Sequence, residues 1–121
     1  MYGVPKDLPL QRFVGASLNQ ICLGEQGIHF NFDKAGSICV DFGKWQIHDA
    51  SGTVVDESIE GLPSTRYHYR INLILGSEVA KFAIDAPRSF TLTFSTGHRL
   101  TVYDDSEQYE SFSIQPDGIY I

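Results

Sequence analysis

An internal repeat is the feature that most constrains how this chain folds, because a duplicated unit fixes the arrangement of both halves. The first half contains, in order, FVGASLNQICL, GIHFNFDKAGSICVDF and WQIHDASGTVV. The second half contains LILGSEVAKFAID, SFTLTFSTGHRLTVY and FSIQPDGIYI, with Gly and apolar landmarks in the same order. The sequence therefore predicts a single domain over residues 1–121, with two copies of one unit at approximately 10–56 and 71–121.

Each copy has the pattern of a series of short strands. The segments IHFNF (28–32) and FTLTF (90–94) alternate apolar and polar residues, which is the period of a strand with one buried face. A short link containing Gly and a second alternating segment follow each of them, as in a hairpin. We expect about five antiparallel strands in each copy, connected as a meander.

The predicted fold is mainly β. Two meanders that are each apolar on one face bury those faces most readily against each other, which gives an antiparallel β-sandwich or a flattened barrel. Alternating residues of four segments should form the core. They are Phe30, Phe32, Ile38, Val40, Leu92, Phe94, Leu100 and Val102.

The segment between the copies, LPSTRYHYRINLILG (62–76), fits two patterns. Its residues alternate as in a strand from Tyr67 to Leu75, but Ile71, Ile74 and Leu75 also follow helical spacing, and Gly76 stands where a helix would end. The corresponding stretch before Gly15 has the same helical spacing. The repeat therefore favours one short helix near 65–75.

Composition and charge restrict the class of protein. Hydrophobic residues make up 42% and charged residues 20%, as in an ordinary globular domain. The chain shows neither a membrane span nor a signal peptide, so we expect a cytoplasmic location. The net charge of −6 disfavours binding to nucleic acid, because affinity there depends on neutralising phosphates.

The acidity is concentrated in two segments. Residues 100–121 contain five acids and no Lys or Arg, and a second segment without bases lies between Lys44 and Arg66. The link from Val102 to Phe112 is five residues longer than its counterpart from Val40 to Trp45 and contains most of the excess charge. Two interpretations stay open, namely a solvated link that promotes solubility and a surface that binds a basic partner. The candidate partner-binding residues are Tyr103, Asp104, Asp105, Glu107, Tyr109, Asp56, Glu57 and Glu60.

No catalytic or metal-binding signature is present in the sequence. The histidines are scattered, and His48 and Asp49 are neighbours that point to opposite faces of a strand. No Ser stands in a G-x-S-x-G motif. Cys22 and Cys39 are interpreted as reduced, half-buried side chains, with a disulfide or a metal pair as the alternative. We therefore expect neither enzymatic activity nor a cofactor or metal.

The C-terminal run GHRLTVYDDSEQYESFSI (97–114) resembles a motif found in a family of small, mostly uncharacterised bacterial proteins with duplicated β units. The motif consists of Gly97, an alternating strand, an acidic link, and then an aromatic residue, Glu110, one residue and a second aromatic residue. The chain differs from the family in lacking proline at 103–109 and in the aromatic-rich TRYHY.

This family resembles the immunity proteins of polymorphic and contact-dependent growth inhibition toxins. The resemblance implies an immunity protein that neutralises a basic cognate toxin, a nuclease or RNase, through an acidic surface. The alternative is a small-ligand-binding β-barrel or a structural interaction module without catalysis. The resemblance does not indicate the oligomeric state.

Overall fold

The computed structural model describes residues 3–24, 27–41, 43–58, 69–104, 112–115 and 119–120. In these residues the chain forms ten strands, all paired with antiparallel neighbours. The strands are β1 (Leu18–Leu23), β2 (Gly27–Phe32), β3 (Gly36–Asp41), β4 (Lys44–His48), β5 (Val54–Glu57), β6 (Val79–Asp85), β7 (Ser89–Phe94), β8 (Arg99–Tyr103), β9 (Ser113–Gln115) and β10 (Ile119–Tyr120).

The strands form two five-stranded sheets that each contain strands of both halves. The first sheet has the order β1-β2-β3-β9-β10, and the second has the order β5-β4-β8-β7-β6. In each half, the first three strands therefore pair with one another in one sheet. The last two strands of that half belong to the other sheet. The predicted antiparallel β-sandwich is confirmed, but the expectation that each sheet consists of one meander is wrong. Alternation in the sequence shows which face is buried and not which strand is the neighbour.

The two halves meet in corresponding hydrogen bonds. The backbone N–H of Gly15 donates to the carbonyl of Val79 at 2.8 Å, and the N–H of Gly76 donates to the carbonyl of Leu18 at 2.7 Å. Both glycines have positive φ, +89° and +86°, a conformation that is strained for other residues. The same local geometry thus begins the first strand of each half. That the halves arose by duplication stays a prediction.

The predicted helix near 65–75 is wrong in its described part. Residues Ile71–Leu73 form a single 3-10 turn, as do Gln11–Phe13 at the corresponding place in the first half. Residues 65–68 lie outside the described residues. The i, i+3 spacing of Ile71 and Ile74 fits a 3-10 turn as well as an α-helix, since both bring such residues to one side. The left-handed Gly76 then turns the chain into β6.

The core lies between the sheets. All eight predicted core residues are buried, and none is more than 5% exposed. The ring of Phe30 on β2 contacts that of Trp45 on β4, with centroids 6.1 Å apart, and the ring of Phe90 on β7 contacts that of Phe112, next to β9, at 5.0 Å. Both contacts join one sheet to the other, so the inward faces pack directly against each other.

Candidate partner-binding end of the sandwich

The two acidic segments leave the second sheet at the same end. Strands β5 and β8 are both antiparallel to β4, on its two sides, so both run towards the start of β4. Glu57 is paired with Gln46, and Tyr103 is paired with Lys44. Neighbouring strands lie about 4.8 Å apart, which places the two exits roughly 10 Å from each other. We call this the crossover end, because the chain also crosses between the sheets here, at 41–44 and 103–113.

A row of side-chain hydrogen bonds joins the two acidic segments at this end. The hydroxyl of Tyr103 donates to Oε1 of Gln46 at 2.7 Å, and Nε2 of Gln46 donates to Oε1 of Glu57 at 3.0 Å. Two of the predicted residues, from segments far apart in sequence, are therefore held by one amide. Sequence reasoning missed Gln46, although its outward position in the alternating KWQIH segment was a usable signal.

The ring of Tyr103 also contacts a cation. Nζ of Lys44 lies 4.9 Å from the ring centroid, within the range of a cation–π interaction. Tyr103 is half-buried, with its hydroxyl bonded and one face of its ring beside Lys44. Its described contacts fix the start of the acidic link, and the area that it offers to a partner is correspondingly reduced.

Asp104 is held by the N-terminal segment and by the β6–β7 hairpin. Its carboxylate accepts a hydrogen bond from the backbone N–H of Gly3, and its own N–H donates to the carbonyl of Arg88 at 2.7 Å. The side chain is half-buried. Asp104 therefore determines the direction in which the chain leaves β8, in addition to contributing charge.

Asp56 has a structural role. It is only 6% exposed, and its carboxylate accepts hydrogen bonds from the backbone N–H groups of Arg70 at 2.6 Å and Glu57 at 2.8 Å. A buried carboxylate is costly unless it is hydrogen-bonded in this way. Asp56 thus connects the end of β5 to the chain before the turn at Ile71, and it offers little surface to a partner.

Asp41, at the end of β3, adds a carboxylate from the first sheet to the crossover end. It was not predicted, and its side chain is 54% exposed. Its Oδ1 lies 3.3 Å from Nε2 of His29, which forms an ion pair when the imidazole is protonated. The other predicted partner-binding residues lie outside the described residues. They are Asp105, Glu107, Tyr109 and Glu60.

His48, His98 and Asp49 occupy separate positions, and His68 lies outside the described residues. His98 is hydrogen-bonded to the hydroxyl of Thr96 at 3.0 Å in a turn, and His48 ends β4. The Ser51 hydroxyl and backbone N–H groups in the 49–53 turn lower the pKa of Asp49. Over the described ranges no three His, Cys, Asp or Glu residues are placed to hold a metal ion. The expectation that the chain is not an enzyme stays a prediction.

Both cysteines are free thiols on the outward side of the first sheet. The ladder pairs Cys22 with His29, and His29 with Cys39, so that the imidazole separates the two thiols. Cys22 is exposed, whereas Cys39 is buried, and burial raises the pKa of the Cys39 thiol. Because the thiolate is the reactive form, burial and the raised pKa both lower the reactivity of Cys39.

Comparisons with known proteins do not assign a family. No protein-family model, no curated protein and no solved structure matches the chain. The resemblance to the immunity-protein family therefore stays a prediction. No helix within the described part of the chain is long and apolar enough to cross a membrane, and the cytoplasmic location also stays a prediction.

Proposed function

We propose that this protein is an immunity-type inhibitor that binds a basic cognate toxin, a nuclease or RNase, at the crossover end of the sandwich. The observation that supports the proposal most is the common exit of the two acidic segments. They are far apart in sequence but leave the second sheet on the two sides of β4. A single basic cleft of ordinary size can meet both.

The charge distribution explains what such an inhibitor gains. Residues 100–121 carry five acids and no Lys or Arg, and residues 45–65 carry four acids and none. Clustered charge of one sign attracts a partner of the opposite sign over about a Debye length, which raises the association rate. A nuclease offers such a partner, because its substrate-binding cleft must be basic to bind phosphates.

The described carboxylates divide between positioning and contact. Asp56 and Asp104 accept hydrogen bonds from backbone N–H groups, so their main contribution is to hold the two segments in place. Glu57 is half-buried and is oriented by Gln46. Direct contact with the toxin is assigned to Asp105, Glu107 and Glu60, with Tyr109 as the aromatic anchor.

The packing of the core favours this proposal over the small-ligand-binding barrel. A barrel that binds a ligand inside needs an internal cavity of several hundred Å3. Here Phe30 and Phe90 on opposite sheets contact aromatic rings that come from the other sheet. The described core is thus built from direct contacts between the sheets.

The test measures binding to the toxin domain encoded beside this gene. The double variant Asp105→Ala/Glu107→Ala should lower the association rate constant at low salt roughly threefold or more, with a smaller change at high salt. The control is Glu78→Lys, just before β6, at the end of the second sheet that lies opposite the crossover end. Both variants add two positive units and change the net charge from −6 to −4. The control should retain more of the rate.

Two results would overturn the proposal. One is the absence of a toxin from the neighbouring genes together with a failure to inhibit basic nucleases. The other is an equal loss of rate in Glu78→Lys and in the double variant, because the effect would then come from total charge and not from the crossover end. Circular dichroism and thermal unfolding confirm that both variants are folded before rates are compared.

A further inference from the structure

Strands β1 and β6 are edge strands at corresponding places in the two sheets. The first residue of each strand, Leu18 in β1 and Val79 in β6, is hydrogen-bonded to the other half. Beyond these first residues, no described strand is paired along the outer side of either. Both begin with an irregularity in the ladder, between Leu18 and Gln20 in β1 and between Val79 and Lys81 in β6. Since the two edges have the same geometry, β6 is a reference against which β1 can be judged.

The two edges differ in charge. Exposed edge strands invite pairing with other chains, and proteins prevent this with charged residues, most often Lys. β6 has Lys81 and Asp85, both exposed, whereas β1 has Gln20 and Gly24 at the corresponding places. Residues 13–24 contain no Asp, Glu, Lys or Arg, the longest such stretch in the chain. β1 is therefore the unprotected edge.

The exposed residues of β1 are suited to contact another strand. Leu23 is 48% exposed, although it is a large apolar residue, and Ile21 is only partly buried. The intervening Cys22 is also exposed. An uncharged edge with exposed apolar side chains is typical of a site of strand addition.

We propose that β1 is the interface of a twofold homodimer, in which it pairs antiparallel with β1 of a second copy. The charge of the chain favours a second copy as the partner of β1. The chain carries a net charge of −6, so two copies repel each other wherever acidic surfaces meet. The uncharged β1 edge allows two copies to approach without opposing like charges, whereas a basic partner gains no attraction there. An antiparallel strand pair is also self-complementary, as a twofold interface requires.

The backbone geometry selects the register of this pair. The N–H of Gly24 donates to the carbonyl of Gly27, and hydrogen-bonded pairs alternate along an antiparallel ladder. Cys22 and His29 are therefore the next hydrogen-bonded pair within the sheet. The backbone groups of Ile21 and Leu23 consequently point to the free side of β1, where they are available to a second copy.

A twofold axis at Cys22 satisfies both the backbone and the side chains. In this register Ile21 of each copy is opposite Leu23 of the second copy, so that apolar residues meet apolar residues. The two Cys22 residues form a non-hydrogen-bonded pair, whose Cα atoms are about 4.5 Å apart in a regular ladder. That separation falls within the range of a disulfide. A short strand pair has a small interface, so the dimer should be weak and depend on concentration.

The first test compares matched lysine substitutions on the two edges. Cys22→Lys places two like charges opposite each other at the twofold axis, and Ala83→Lys introduces the same charge at the corresponding exposed position of β6. In sedimentation equilibrium, the wild type and Ala83→Lys should show the same concentration-dependent dimer, and Cys22→Lys should weaken association tenfold or more. Thermal unfolding shows whether both variants are folded.

The second test checks the register by cross-linking. In a Cys39→Ser variant, Cys22 is the only thiol. Added diamide accepts two electrons and two protons as the two Cys22 thiols form a disulfide, and a covalent dimer should accumulate under conditions in which the dimer is populated. A dimer in sedimentation that does not cross-link would overturn the register at Cys22.

A second substitution covers the case in which Cys22→Lys does not fold. Gln20→Lys gives β1 the residue that β6 already has as Lys81, at an exposed position, and should also weaken the dimer. The proposal is wrong if the wild type is a monomer at the highest soluble concentration, or if the substitutions on β1 and β6 change the dimer equally. Neither test uses the acidic segments, so their outcome is independent of the proposed inhibitor function.

Discussion

The two crossovers between the sheets, at 41–44 and 103–113, both take the chain from one sheet to the other, but they differ in length. The first takes the chain from β3 to β4 with few residues, and the second takes it from β8 to β9 with more. Since the short link suffices to cross the sandwich, the additional residues of the second are not required by the fold. Residues that the fold does not require are the ones most available for binding a partner.

The same contrast applies to the two halves as a whole. Their inward-facing residues correspond in burial and in register, whereas their outward-facing edges and links differ in charge. Burial restricts substitution in the core of each half, while the surfaces are free to diverge. The differences between the halves therefore indicate where to look for function, and the correspondences indicate what holds the fold.

The largest effect is expected from the core, where the halves should behave alike. Phe32 and Phe94 are both buried and occupy corresponding positions of β2 and β7, opposite Leu18 and Val79. Phe32→Ala and Phe94→Ala should each lower the free energy of unfolding by about 3–5 kcal/mol, through lost burial and the cavity left behind. Urea unfolding measures both. If the two costs in unfolding free energy differ by more than about 2 kcal/mol, the halves share a geometry but not the same distribution of stability.

A smaller effect separates scaffold from surface within one acidic segment. Asp56→Ala removes a buried acceptor of two backbone N–H groups and should cost about 2–3 kcal/mol of unfolding free energy. Glu57→Ala, one residue further on, loses a half-buried contact with Gln46 and should cost less than about 1 kcal/mol. Urea unfolding of the two variants makes the comparison directly. Equal costs would contradict the structural role assigned to Asp56.

The strands and the core could be predicted from sequence because they depend on local pattern. The alternation in 28–32 and 90–94 correctly indicated Phe30, Phe32, Leu92 and Phe94 as buried. The exchange of strands between the sheets could not be predicted, since strand pairing is a long-range choice that alternation does not record. The turn at Ile71–Leu73 was mistaken for part of a helix because three residues contain too little periodicity to distinguish the two.

Only the amino-acid composition of the candidate site could be predicted from the sequence. Charge counts identified both acidic segments, but the sequence gives no sign that β5 and β8 lie on the two sides of β4. It also does not distinguish Asp56, which the fold uses, from Glu57, which is half-exposed. The row through Gln46 depends on the register of three strands. Site geometry here is thus a consequence of topology, which was the part of the fold that local pattern could not provide.

The smallest effect concerns a turn of the first half whose first residue, Asp49, has an uncharged counterpart in the second half. Counted back from Gly52 and Gly118, the repeat places the uncharged Gln115 where the first half has Asp49, whose pKa is lowered by the Ser51 hydroxyl and by backbone N–H groups. A carboxylate with a lowered pKa in the folded state adds stability above its unfolded pKa of about 3.9, and this contribution is lost as the pH falls through the folded pKa. Asp49→Asn retains an acceptor but does not titrate, so its stability should fall less than that of the wild type between neutral pH and about pH 3. An NMR titration of Asp49 should have its midpoint below about 3.9. A midpoint at or above that value would mean that the 49–53 turn does not depend on the charge of Asp49.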